Sequence, residues 1–408
     1  MSALNFKKEN VMKGNNFFTA DILIPKNNFK EWSVIACDQY TSEPEYWEET
    51  KKAVGDKNSA LNIVLPEVYL KEDNSAEISN INKTMQDYIS NDIFKVIEDS
   101  VIYTKRTLKN GKIRHGLVGL IDLEDYSYEK GAKTSIRATE ETVIERIPPR
   151  VKIRKDASIE IPHIMLLIND PDRTVIEPIT EKTDVLTKIY DFEMIQNAGS
   201  IEGYVLSDSD VNNITVALDN LKAISEDGLL FAVGDGNHSL ATAKECYKLG
   251  NGNRYALVEI VNIHDLSLEF EPIYRVLFNV DAQKLLNDFV ATCGLSDDSD
   301  AQKFTCVYNG TEREISVKPN GTLCVATLQK FLDSYIKLNP EIKIDYIHGT
   351  DSLRQLCKKQ NTLGFIFDGM EKSELFTAVS RDGSLPRKTF SMGCADDKRF
   401  YLEARKIK

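Results

Sequence analysis

The part of this chain that most limits how it can fold is residues 229–248. There the apolar run Leu-Leu-Phe-Ala-Val leads into Gly-Asp-Gly-Asn-His-Ser and then into the Ala-containing run Leu-Ala-Thr-Ala-Lys-Glu-Cys-Tyr-Lys. A short continuous apolar run reads as a buried strand, and Leu240, Ala243 and Tyr247 at helical spacing read as a helix that begins after Ser239. Between them, Gly234 and Gly236 permit positive φ and close backbone approach. Asp235, Asn237, His238 and Ser239 offer capping side chains and leave free N–H groups at the helix start. A helix start of this kind favours anions, and ligands collect beyond strand ends in α/β sheets. The spacing is not G-x-x-x-x-G-K-[ST], and Ser239 stands where G-x-G-x-x-G requires its third glycine. A plain capped connection is the alternative reading of the same residues.

Four other stretches carry candidate site residues. Residues 34–36 read as a short strand opening into Cys-Asp-Gln-Tyr-Thr-Ser-Glu-Pro, with Ser42 as N-cap and Pro44 early in a helix through Tyr46 and Trp47. This puts Asp38 or Glu43 at a second polar mouth. Between residues 133 and 155, Arg137, Arg146, Arg150, Lys152 and Arg154 concentrate positive charge. Pro148-Pro149 is expected to stop a helix there and leave Arg150 on a loop, where its planar fork suits phosphate oxygens; a salt-bridged face with Glu140, Glu141 and Glu145 is the alternative. Residues 163–168 read as a buried strand ending in Asn-Asp-Pro-Asp. Asp170 and Asp172 there suit either Mg2+ beside a phosphate or ordinary turn chemistry. Lys388, in Pro-Arg-Lys-Thr, offers a further cation to the turn or stands on a solvated basic loop.

Asp235-Gly236-Asn237-His238-Ser239-x-x-x-Ala243 resembles the D-G-[HN]-H-[RS] signature of the bacterial family known as domain of unknown function 1015. Further stretches similar to that family stand at residues 36–42, 137–141, 149–154, 271–275 and 385–389. The chain departs where many members carry His-Arg: Asn237-His238-Ser239 replaces His-His-Arg, and Tyr274-Arg275 replaces His-Arg. The resemblance implies a mixed α/β (α+β) fold, with a core similar to ParB/sulfiredoxin-like nucleotide-binding domains. A branch of that fold resembles free-serine kinases that use ADP or ATP.

The remaining organisation follows from local signals. Asn110-Gly111 and Asn309-Gly310 are expected to close hairpins. Leu186, Ile189, Tyr190 and Ile195 are expected on one helix, and Val211, Ile214 and Leu218 on another, suggesting β-α units with parallel pairing. The Ser- and Asp-rich residues 294–302 are the expected linker between an α/β region, residues 1–293, and a C-terminal α+β module, residues 294–408. A net charge of -12 argues against a nucleic-acid partner. Seven cysteines at irregular spacing suit a reduced cytoplasm, and no C-x-x-C pair exists to build a structural zinc site. Charges among the first ten residues are unlike a signal peptide, and no apolar stretch is long enough for a membrane span, so a cytoplasmic protein is expected.

The leading functional expectation is phosphotransfer on a small polar metabolite, with serine and phosphoserine the suspected pair. Phosphoryl transfer needs phosphate cradling, a divalent cation and a group that orients the attacking hydroxyl. Gly234, Asp235, Gly236, Asn237, Ser239, Arg150 and Lys388 are assigned to the first. Asp170 and Asp172 are assigned to Mg2+, and Asp38, Glu43 and His238 to catalysis, with ADP or ATP as the nucleotide. Alternatives are a phosphoserine-type phosphatase and a non-catalytic nucleotide switch. A sulfiredoxin-like redox role is disfavoured because Cys246 lies about two turns into the helix, while Cys37, beside Asp38, is expected to face the core. Oligomeric state is left open.

Overall fold

Asn110 and Gly111, the latter at φ 83, join the antiparallel strands Ile102–Thr107 and Ile113–Asp122, as the Asn-Gly signal leads one to expect. In the computed structural model, which describes residues 16–408, these strands belong to a mixed sheet with nine strands among the described residues. From one edge the order is Tyr126–Ser127, Ile136–Ala138, Phe231–Asp235, Met165–Ile168, Tyr255–Asn262, Ile113–Asp122, Ile102–Thr107, Ser200–Val205 and Thr187–Glu193. The expected parallel pairing is limited to three neighbouring pairs, with Phe231–Asp235 parallel to Ile136–Ala138 but antiparallel to Met165–Ile168.

The apolar run of the central strand is buried because both faces are covered. Phe231, Val233 and Leu166 share a core with Val211, Ile214 and Leu218 of the helix Asp208–Ile224 and with Leu240 and Ala243 of the helix Asn237–Lys248. A second cluster joins Ile22, Trp32, Ile35, Ile81 and Met85 to Phe400, Tyr401 and Leu402.

Two local expectations fail for identifiable reasons. Thr187–Glu193 is an edge strand rather than a helix; its branched Thr187 and Ile189 suit a pleated edge, and Tyr190 turns inward to donate to Glu403. Pro148 and Pro149 open a helix, Ile147–Arg154, instead of ending one, because proline in the first turn lacks only an N–H that has no helical partner. Arg150 is therefore helical.

The chain divides into two units, and the boundary is not at the expected linker. One unit comprises the residues up to Ala138, Thr142–Leu268 and Cys394–Lys408; the other comprises Thr139–Glu141 and Glu269–Gly393. The expected break at 293/294 falls inside the second unit, because Phe270–Phe278 pairs with Lys343–His348, Thr362–Phe367 and Phe390–Met392. The last residues return to the first unit. Ile35 bridges Phe400, Leu23 bridges Ala404, and Arg405–Lys406 pairs with Ile159–Glu160. The second unit is α+β, its sheet completed by the Asn309-Gly310 hairpin Gln302–Tyr308 and Thr311–Val317. Among the described residues no helix is long and apolar enough to cross a membrane.

Candidate active site

Sheet register decides which side chains meet at the Gly-Asp-Gly-Asn-His-Ser turn. Asp235 is opposite Met165 in antiparallel register, so His163, two residues earlier, lies beside the turn. Gly236 is at φ 76, and a Cβ there would stand 2.9 Å from Ile164 Cα and 3.4 Å from His163 Cδ2. Glycine is thus required twice over, for the backbone conformation and for the close approach. The turn differs from expectation in its cap: Gly236 is the N-cap residue, without a side-chain cap bond, and the helix runs Asn237–Lys248. Asn237, His238 and Ser239 are therefore in its first turn, where backbone N–H groups lack intrahelical acceptors. Asp235 instead turns back, its Oδ1 accepting the Gly236 N–H at 2.9 Å and its Oδ2 standing 3.6 Å from Lys398 Nζ.

Asp38 reaches the same place from the other end of the chain. Tyr401 N–H donates to Val34 O and Ala36 N–H to Arg399 O, which brings the Cys37-Asp38 turn onto the C-terminal segment. Asp38 Oδ2 is 3.5 Å from His163 Nε2, and Asp38 Oδ1 accepts from Gln39 at 3.0 Å. Burial alone would raise the Asp38 carboxyl. The charge and hydrogen bond of His163 outweigh it, with help from Gln39 and Lys398, and hold Asp38 well below the usual carboxylate range. Burial would likewise lower His163, but Asp38 and then Asp235 raise it above its ordinary value. Cys37 packs against the core, as expected, and burial followed by the Asp38 charge pushes its thiol up to about 12, which leaves it a poor nucleophile.

His238 is on the same side. Its Nε2 accepts the Val143 N–H at 3.2 Å, so a neutral ring carries its proton on Nδ1. Burial, followed by the charges of Arg150 and Arg146, lowers His238 to about 4, with Asp38 the opposing influence. At neutral pH the ring is therefore uncharged, with desolvation and two cations as the leading causes.

The helix Ile147–Arg154 packs on Asn237–Lys248 and supplies Arg150, with Arg146 the N-cap residue just before it. Arg150 Nη1 donates to Arg146 O at 2.8 Å, and its Nη2 pairs with Glu67, whose own N–H donates to Cys37 O at 2.8 Å. Two polar atoms at this end, Asn237 Oδ1 and Thr142 Oγ1, are buried without a hydrogen-bond partner among the described residues. An acceptor left in that condition costs free energy until a ligand or water meets it.

Other expected residues lie elsewhere. Asp170 and Asp172 do not form a carboxylate pair: Asp170 is fully buried and accepts the Thr174 N–H at 2.7 Å and the Val175 N–H at 2.8 Å, whereas Asp172 is exposed. The Asn-Asp-Pro reading as a turn is the one that folds. Among the described residues no group of three or more His, Cys, Asp or Glu side chains is placed to hold a metal. Glu43 is exposed and is the N-cap residue before Pro44, the position expected for Ser42. Lys388 belongs to the second unit. There the buried Arg275 donates to Lys388 O at 3.0 Å and Arg387 O at 3.2 Å, joining two of the stretches that resemble the family. The residues that sequence reasoning missed are His163, Lys398 and Tyr401. A polar side chain directly before the apolar run 164–168 was a weak signal for His163; nothing local marked the other two.

Residues 20–335 match the family described as Protein of unknown function (DUF1015). The chain belongs to the DUF1015 family. The matched span contains the whole turn and ends before Lys388, Lys398 and Tyr401. No curated protein matches this DUF1015 chain. Among solved structures it is similar to free serine kinase in complex with AMP, at 15% identity and TM-score 0.40, covering 69% of this chain and 90% of that one. A variant of free serine kinase in complex with ADP gives 14% identity, TM-score 0.40 and coverage of 71% and 92%. A C-terminally truncated SbnI from Staphylococcus aureus gives 11% identity, TM-score 0.37 and coverage of 69% and 86%.

Proposed function

We propose that this DUF1015 protein transfers a phosphoryl group between a nucleotide, ADP or ATP, and a small polar metabolite, with serine and phosphoserine the leading pair. The carrying observation is the meeting of an ionised Asp38, a neutral His238 and a helix start at one end of one sheet. Backbone N–H groups of the first turn, with Lys398 and the charges of Arg146 and Arg150 nearby, suit polyphosphate. Asp38, held charged, is an acceptor that orients an attacking hydroxyl and takes its proton late, once bonding to phosphorus has made that hydroxyl acidic, and His238 Nδ1–H is a neutral donor for a phosphoryl oxygen. Glu43, exposed at the Asp38 mouth, is the second candidate base. Asn237 Oδ1 and Thr142 Oγ1 are unused acceptors for an ammonium or hydroxyl of the ligand.

Mg2+ keeps several waters and binds through phosphates plus one or two carboxylates, so it enters with the nucleotide and needs no preformed protein cage. Asp235 is a carboxylate of the turn that suits this role.

Thermal shift with ADP, ATP, CTP, serine and phosphoserine, each with and without Mg2+, tests the reading. A ligand at about 100 times its Kd stabilises by about 2.7 kcal/mol. Stabilisation by ADP or ATP together with serine or phosphoserine supports phosphotransfer. Phosphoserine alone favours the phosphatase and CTP alone the non-catalytic switch; a response to none of the five overturns the proposal.

A further inference from the structure

A chain of polar contacts runs behind Asp38, and its members come from three distant parts of the sequence. Cys37 N–H donates to Tyr401 Oη at 3.1 Å, Tyr401 Oη lies 2.9 Å from His163 Nδ1, and His163 Nε2 lies 3.5 Å from Asp38 Oδ2. The rings of His163 and Tyr401 meet edge to face at 5.6 Å. His163 and Tyr401 are 7% and 2% exposed, so water does not substitute for these partners.

Donor and acceptor counting gives the chain a direction. Tyr401 Oη already accepts the Cys37 N–H, which leaves its own proton to donate, and its near neighbour is His163 Nδ1. In the neutral ring Nδ1 is then the acceptor, the ring proton is on Nε2, and Nε2–H faces the Asp38 carboxylate. We propose that His163 and Tyr401 are positioning residues: Tyr401 sets the tautomer and plane of His163, and His163 holds the Asp38 carboxylate aimed at the site. This inference rests on the reading of Asp38 as the base. It deepens that reading by giving Tyr401 of the C-terminal segment a part in the reaction machinery, acting through His163 and Asp38 rather than on the reacting atoms.

The charged groups that face His163 are Asp38 and Asp235, which favour its protonation, and Arg399, which opposes it. The Tyr401 O–H also opposes protonation, because a donor at Nδ1 favours the neutral ring. Protonating the ring displaces that donor and leaves Nε2–H on Asp38, so Asp38 keeps its partner in either state. The arrangement therefore predicts a fixed tautomer above the His163 titration and an Asp38 carboxyl that stays ionised throughout.

The test uses the full chain labelled with 15N at histidine and 13C at aspartate. In the wild type above the His163 titration, the ring proton is expected on Nε2; a proton on Nδ1 overturns the proposal, whatever the variants do. Tyr401→Phe keeps the ring but removes the hydroxyl. It is expected to mix the two tautomers, raise the His163 titration and move the Asp38 carboxyl resonance; an unchanged His163 tautomer and Asp38 resonance in a folded Tyr401→Phe overturns it. Asp38→Asn should lower the His163 titration, since burial is then less opposed; no change overturns the contact.

Once a reaction is in hand, His163→Ala should lower kcat about 10²-fold with KM little changed, the scale of a misplaced catalytic group. His163→Gln, which restores an N–H towards Asp38, should recover part of it; equal loss in both overturns the positioning role. Failure of phosphotransfer is separable from failure of this proposal. An Nε2 tautomer without phosphotransfer refutes the proposed reaction alone, and an Nδ1 tautomer in an active phosphotransferase refutes the positioning chain alone.

Discussion

His238 is the residue whose neighbours most directly define its chemistry. Its Nε2 is occupied by the Val143 N–H, so in the neutral ring only Nδ1–H is free to act, and it acts as a donor. His238→Ala is expected to lower turnover by about 10² to 10³, the range for loss of one such donor. Full activity in a folded variant would leave the backbone N–H groups of the first helical turn as the anion site. The lowered value of about 4 also has a stability consequence. Between about 6.5, the ordinary imidazole value, and 4 the unfolded chain binds the extra proton, so stability falls as pH drops through this window. His238→Ala should remove that component. Urea midpoints of the two proteins are expected to converge, or the variant to gain relative to the wild type, as pH falls; parallel curves would show that His238 protonates freely in the folded protein. His163, raised rather than lowered, contributes the opposite sign but is present in both proteins and cancels in the comparison.

At the scale of elements, the site is a meeting of two helix starts and the end of the strand Phe231–Asp235. The helix Asn237–Lys248 begins where Gly236 adopts φ 76 against Ile164, and the helix Ile147–Arg154 begins on a proline pair. Gly236→Ala should therefore destabilise by more than about 1 kcal/mol, because strain at positive φ adds to the collision with backbone at 2.9 Å. The measurement is thermal or urea unfolding, and a neutral substitution would mean that the turn relaxes without penalty. The strand-turn-helix itself was legible in the sequence, since an apolar run, two glycines and helical spacing act within a few residues of one another. The role of Pro148-Pro149 was not. Proline ends one helix and begins another with equal ease, and the choice was made by packing of Ile147–Arg154 on its neighbour helix. Asp170 illustrates the same ambiguity: two backbone N–H groups of its own loop occupy a carboxylate whose sequence context also suited a cation.

At the scale of the molecule, the C-terminal segment is tied into the first unit by buried charge. Arg399 pairs with Glu259 at 2.8 Å and Glu403 at 2.6 Å and donates to Pro162 O at 2.6 Å, while Trp32 Nε1 donates to Leu402 O at 2.9 Å. Arg399→Met would remove the ion-pair partner of two buried carboxylates, and urea unfolding should register a loss of about 3–5 kcal/mol; a loss below 1 kcal/mol would mean that Tyr190, Thr104 and other neighbours satisfy the carboxylates, or that they take up protons at little cost. Removal of residues 394–408 should abolish hydrogen-exchange protection in the sheet containing Phe231–Asp235 and spare the strands of Glu269–Gly393; uniform loss in both units, or no loss in either, would contradict the division. The sequence by itself determined the hairpins, the central strand and helix, the turn between them and the family to which the chain belongs, all of which depend on neighbours along the chain. Only the tertiary structure decided that His163 stands behind Asp38, that Tyr401, 364 residues from Cys37, stands behind His163, and that Lys398 faces Asp235. Those contacts depend on sheet register and on where the last residues dock, and burial of apolar surface and pairing of buried charge set both across distances that no local pattern encodes.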